Sequence, residues 1–82
     1  MCLNNMKVRI YNNNEIVITV ILEPWATEYN LIQNDFLDFV SDGEVPDDAF
    51  FTVEHDDDNI IVSPDWNGAL VHAFNSKGVK LD

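Results

Sequence analysis

Lysine and arginine are missing from the whole stretch between Ile10 and Ser76, and the 82-residue chain holds only Lys7, Arg9, Lys77 and Lys80. Against these four stand fifteen carboxylates, for a formal net charge of −11. A polyanion would meet like charge over most of the surface, so nucleic acid and anionic membranes are poor direct partners. A basic protein surface, a cation or water suits this field.

Cysteine is nearly absent as well. Cys2 alone cannot form an intramolecular disulfide, which fits a reducing cytoplasm. The three glycines form no phosphate-cradling loop, and nothing in the composition calls for a cofactor. The longest apolar run, Ile16 to Leu22, is seven residues. A membrane-spanning helix needs roughly 20. The first thirty residues hold no basic region followed by an apolar segment, so no secretion signal is read there.

What remains is rich enough to fold. The hydrophobic fraction is 46%, including five Phe, two Trp and two Tyr, well above what an intrinsically disordered chain carries. The length suits one core and no second. Met6 can serve as an alternative start, so residues 1–5 are expected to be a disordered lead and 6–82 a single acidic β domain.

Val8 and Ile10 alternate with Lys7, Arg9 and Tyr11, the period of a half-buried strand. Asn12-Asn13-Asn14 then reads as a tight hairpin connection, because asparagine tolerates left-handed backbone and makes local side-chain turns. The following Ile16-Val17-Ile18-Thr19-Val20-Ile21-Leu22 is β-branched almost throughout and predicts a central strand covered on both faces. Pro24 removes a donor and ends it. Residues 27–42 fit two short strands with a turn at Asn34-Asp35. They also fit a single helix with Thr27 as N-cap and Gly43 beyond its end.

Ser41 to Asp48 has the composition of an exposed loop. Phe50–His55 and Ile60–Ser63 predict a hairpin joined by Asp56-Asp57-Asp58-Asn59, Pro64 to Gly68 predicts a turn, and Leu70–Phe74 and Val79–Leu81 predict the last strands. The expected fold is all-β, a small antiparallel sandwich or barrel of seven to eight short strands. Its core is expected from Val8, Ile10, Ile18, Val20, Leu22, Phe51, Val53, Ile61, Val71 and Phe74.

The segment Ile21-Leu22-Glu23-Pro24-Trp25-Ala26-Thr27-Glu28-Tyr29-Asn30-Leu31 resembles a recurrent stretch of small uncharacterised bacterial β proteins, in which a strand ends in Glu-Pro-Trp before an acidic and aromatic pair. The related pattern carries Gly where Ala26 stands and Pro-Gly where Gln33 and Asn34 stand. The resemblance implies a small β fold of bacterial or phage type and supplies no activity.

Asp56, Asp57 and Asp58 with Asn59 are hard-ligand types, yet an EF-hand would need Gly at position 61 and Glu at 67, where Ile61 and Asn67 stand. They therefore read as a solvated hairpin tip, and no metal site is expected. His55 sits beside that tip, and His72 reads as a partly buried structural histidine. Ser41, Ser63 and Ser76 fall in turn-like settings without a nucleophile elbow, so the chain is not expected to be an enzyme. Two functional readings remain. In the first, Asp42, Glu44, Asp47, Asp48, Glu54, Asp56, Asp57 and Asp58, with Trp25 and Trp66, cover a basic surface of a partner protein, as an inhibitor or immunity protein or a DNA mimic would. In the second, Trp25, Trp66 and Tyr29 line a small-ligand site, with the Asp tip offering oxygens to a cation.

Overall fold

A computed structural model describes residues 5–81. Cys2 and nearly all of the expected lead lie outside the described residues. Seven strands follow in order: β1 (Lys7–Tyr11), β2 (Ile18–Leu22), β3 (Thr27–Leu31), β4 (Phe36–Asp42), β5 (Phe51–Asp56), β6 (Asn59–Pro64) and β7 (Leu70–Asn75). They form two sheets, one ordered β1-β4-β7 and the other β3-β2-β6-β5, in an open sandwich without barrel closure. Neighbours are antiparallel except β2 and β6, which run parallel. Among the described residues there is no helix, so 27–42 is two strands with Asn34 in left-handed backbone (φ 62°) at the turn between them.

The hairpin expected at Asn12–Asn14 does not form: β1 pairs with β4, and β2 lies in the other sheet. Asn12 explains the difference. Its side chain is buried and its amide donates to the carbonyls of Ile16 and Leu31, both at 2.9 Å, while its oxygen accepts the Asn14 N–H. The chain is thus turned out of one sheet and into the next. The β3–β4 link crosses beside it, joined by Asn12 N–H to Asp35 (3.0 Å) and Asn34 N–H to Asn12 (2.7 Å). Two crossings satisfy each other's backbone where neither has a ladder partner.

Ile18, Val20 and Leu22 alternate inward along β2, with Leu31 and Tyr29 opposite on β3, Val62 on β6, and Leu37, Phe39, Val71 and Ala73 from the facing sheet. Tyr29 meets Phe39 edge-on at 5.8 Å between ring centres. Each large side chain buried here contributes about 1.5–3 kcal/mol relative to exposure. Three expected core positions are displaced. Ile61 faces outward beside Ile21 while Ile60 and Val62 point in, Phe74 gives its inward place to Ala73, and Val53 is 47% exposed on the edge strand β5 of the wider sheet. Ile16 and Val17 precede β2 and are exposed, and β2's outer face is only half-buried. Residues 79–81 form no full strand and join β7 through an antiparallel bridge, Lys80 to Phe74, the Leu81 N–H bonded to Ala73, and Asn75, whose N–H donates to the Val79 carbonyl and whose side-chain oxygen accepts the Val79 N–H.

The registers define the two ends of the sandwich. Thr19 pairs with Asn59 and Leu22 with Val62, so the β5–β6 hairpin tip lies at the Asn12 end. The Trp25 turn, Pro64, Phe51 and the close of β4 at Asp42 lie at the other.

Candidate functional site at the tryptophan end

The turn from β2 to β3 is Glu23-Pro24-Trp25-Ala26, with Ala26 at φ 56° and its N–H bonded to the Glu23 carboxylate at 3.1 Å. This presents Trp25 outward, 44% exposed. Trp66 follows β6 and stacks edge-on against Phe51 at 5.4 Å. Asp42 closes β4, and the loop after it carries Glu44, Asp47 and Asp48 back to Phe50. The Phe50 carbonyl accepts the Asp65 N–H at 2.8 Å, and the Thr52 hydroxyl donates to the Asp65 carboxylate, which ties the loop to the β6 exit.

Two clefts open here. One, of about 570 Å³, lies between Pro46, Asp48 and Phe50 on one side and Pro64, Asp65 and Trp66 on the other. The second, of about 300 Å³, lies where the edge strands β3 and β7 leave the sandwich open. Leu22, Trp25, Thr27 and Tyr29 form one wall and Leu70, Val71 and His72 the other. At its rim His72 Nε2 stands 3.2 Å from Asp42 Oδ2. Aromatic rings and carboxylates thus share one end of the molecule.

The expected acidic surface is divided. Asp42, Glu44, Asp47 and Asp48 gather with both tryptophans, whereas Asp56, Asp57 and Asp58 lie at the opposite end, with Glu54 along the exposed edge strand between. The hairpin tip is a two-residue turn, Asp57-Asp58, tighter than the four-residue loop expected, with Asp57 at φ 52°. No three His, Cys, Asp or Glu side chains converge as metal ligands among the described residues.

Phe50, Asp65 and Leu70 at the tryptophan end were not singled out by the sequence. Only their adjacency to turns could have marked them. A second cluster, on the outer face of the three-stranded sheet, was also illegible. Asp38 is buried there, bound by the Arg9 guanidinium through two hydrogen bonds of 2.7 and 2.9 Å, with the Lys7 ammonium at 3.5 Å. Arg9's hydrogen bonds hold the Asp38 carboxyl below its ordinary value, and Asp38 raises Arg9 in turn. The guanidinium carbon also sits 3.9 Å from the centre of the Phe36 ring. Nearby, the Ser76 hydroxyl and then the Phe36 N–H lower Asp35. These charges are spent on one another.

Fold and site together define a small acidic β-sandwich with an aromatic, acid-rimmed end. Compared with models of known families, with curated proteins and with solved structures, the chain matches none. No helix among the described residues is long and apolar enough to cross a membrane.

Proposed function

We propose that the protein is a non-enzymatic binding module of the inhibitor or immunity type, whose tryptophan end covers a basic surface of a partner protein. The supporting observation is the gathering of Trp25, Trp66, Phe50 and Leu70 with Asp42, Glu44, Asp47, Asp48 and Asp65 at one end. Exposed aromatics surrounded by charge are the composition of an interface anchor with a polar rim. Carboxylates without basic neighbours steer a cationic surface towards that anchor and repel polyanions. Carboxylates on a rigid loop also stand in for phosphates, which fits a partner that handles nucleic acid.

Capture from host lysate at low salt, with elution by rising salt, tests the reading. One basic protein should elute at a defined step and be lost when Asp47 and Asp48 become Asn or Trp66 becomes Ala. Changing Asp56 and Asp58 to Asn, at the far end, should lower the step only slightly. Equal loss from both ends refutes a localised interface.

The alternative, a small ligand- or cation-binding β module, draws its support from the cleft between β3 and β7. It is distinguished by thermal stabilisation with a small ligand and little salt dependence.

A further inference from the structure

The cleft between β3 and β7 has two kinds of wall. Leu22, Leu70 and Val71 are aliphatic, while Trp25 and Tyr29 present aromatic rings. At the rim stands the carboxylate of Asp42, whose side chain is 61% exposed. Glu28, between the lining residues Thr27 and Tyr29, points to the opposite face of β3 beside Ile21, so Asp42 is the carboxylate that this cleft offers. No lysine or arginine lines it. Lys7 and Arg9 are engaged by Asp38, and Lys77 and Lys80 belong to the turn and segment beyond the other end of β7. At about 300 Å³ the space is at the bottom of the range of small-molecule sites, roughly 300–1,000 Å³, which suits one side chain better than a cofactor.

The molecule holds a guanidinium in this way elsewhere. Arg9 lies over the Phe36 ring at 3.9 Å with Asp38 as its carboxylate partner. Trp25 with Asp42 repeats the pairing of aromatic and acid, with the better ring for a cation.

Resting on the docking reading above, we propose that this cleft receives an arginine side chain from the surface of the basic partner. Its methylenes pack on Leu22, Leu70 and Val71, and its planar guanidinium stacks on Trp25. The N–H fork then reaches Asp42 at the rim, beside its 3.2 Å contact with His72 Nε2. Arginine suits the site better than lysine because a flat, weakly hydrated cation stacks on a ring and a compact ammonium does not. A neutral ligand would gain the walls and nothing from the Asp42 carboxylate.

Butylguanidinium and its neutral isostere butylurea, titrated separately into the whole protein and followed by amide NMR shifts, test the proposal. Butylguanidinium should shift Thr27, Tyr29, Leu70 and His72 saturably, and more weakly as salt rises. Trp25→Ala should weaken it about tenfold, the scale of a desolvated cation–π contact. Asp42→Asn provides a second variant, expected to weaken butylguanidinium while leaving butylurea unchanged. Equal binding of the two probes overturns the proposal in favour of an uncharged ligand, and absence of shifts overturns it outright. If Trp25→Ala loses butylguanidinium yet captures the basic partner at an unchanged salt step, the arginine pocket fails while the docking reading stands.

Discussion

The three-stranded sheet carries Lys7 and Arg9 on β1 against Asp38, and beyond the end of β7 it carries Lys80 and, near Asp35, Lys77, while Asp42 at the opposite end stands beside His72. The four-stranded sheet and the loops beside it carry Glu23, Glu28, Glu44, Asp47, Asp48, Glu54, Asp56, Asp57, Asp58 and Asp65 with no lysine or arginine. The two layers share one core yet handle charge in opposite ways. On the first sheet, acids and bases neutralise each other over a buried carboxylate. On the second, carboxylates repel one another and are left to the solvent or a partner. The net charge of the whole chain is therefore a property of one side of it, and its cost in self-repulsion falls on that side.

The comparison breaks most easily in the core that both sheets share. Phe39, fully buried on β4, should lose about 3–5 kcal/mol on replacement by Ala, a large part of the stability of a domain this small. Val53→Ala, on the uncovered edge strand β5, should cost less than about 0.5 kcal/mol. Urea denaturation of the two variants measures both, and similar losses would mean that β5 is covered.

A smaller effect tests the paired side. Because the folded Asp38 carboxyl is held below its unfolded value, its stabilisation is present above the ordinary carboxylate range and fades as pH falls through it towards that lower folded value. Asp38→Asn should lower the melting temperature by roughly 4 °C at pH 7, in keeping with a partly exposed ion pair. Thermal melts of variant and parent should converge at low pH. A constant gap would assign the effect to packing.

The smallest effect belongs to the unpaired side. Added salt should raise the melting temperature of the parent by screening its carboxylates. Asp56→Asn with Asp58→Asn should reduce that gain, and calorimetry across a salt series reads it. Asp57 is left in place because its positive φ itself favours Asn.

Strands were legible where local chemistry decided them: the β-branched run of β2, the Pro24 break, the Asp-rich turn between β5 and β6, and the turns flanking β7. Partners were not. Asn12 belongs to a residue type that marks turns, and nothing local distinguishes an asparagine closing a hairpin from one buried between two crossing links. The phase of β6 was lost for a related reason: Ile60, Ile61 and Val62 are all apolar, and only the sheet opposite selects which two face it. The acidic residues were legible as a set. Their division between two ends depends on the parallel pairing of β2 with β6, which joins residues about forty apart in the sequence and leaves no local trace.

That pairing pattern also governs how the chain reaches its fold. Both hairpins, β2–β3 and β5–β6, lie in the four-stranded sheet and close over short loops. The three-stranded sheet contains no neighbours in sequence, since β4 waits for β1 from far upstream and for β7, the last strand. Contacts of that separation lose loop entropy before they gain anything, which puts refolding among the slow, millisecond-to-second topologies. The side of the molecule that is electrostatically at rest is thus the side that must be assembled last.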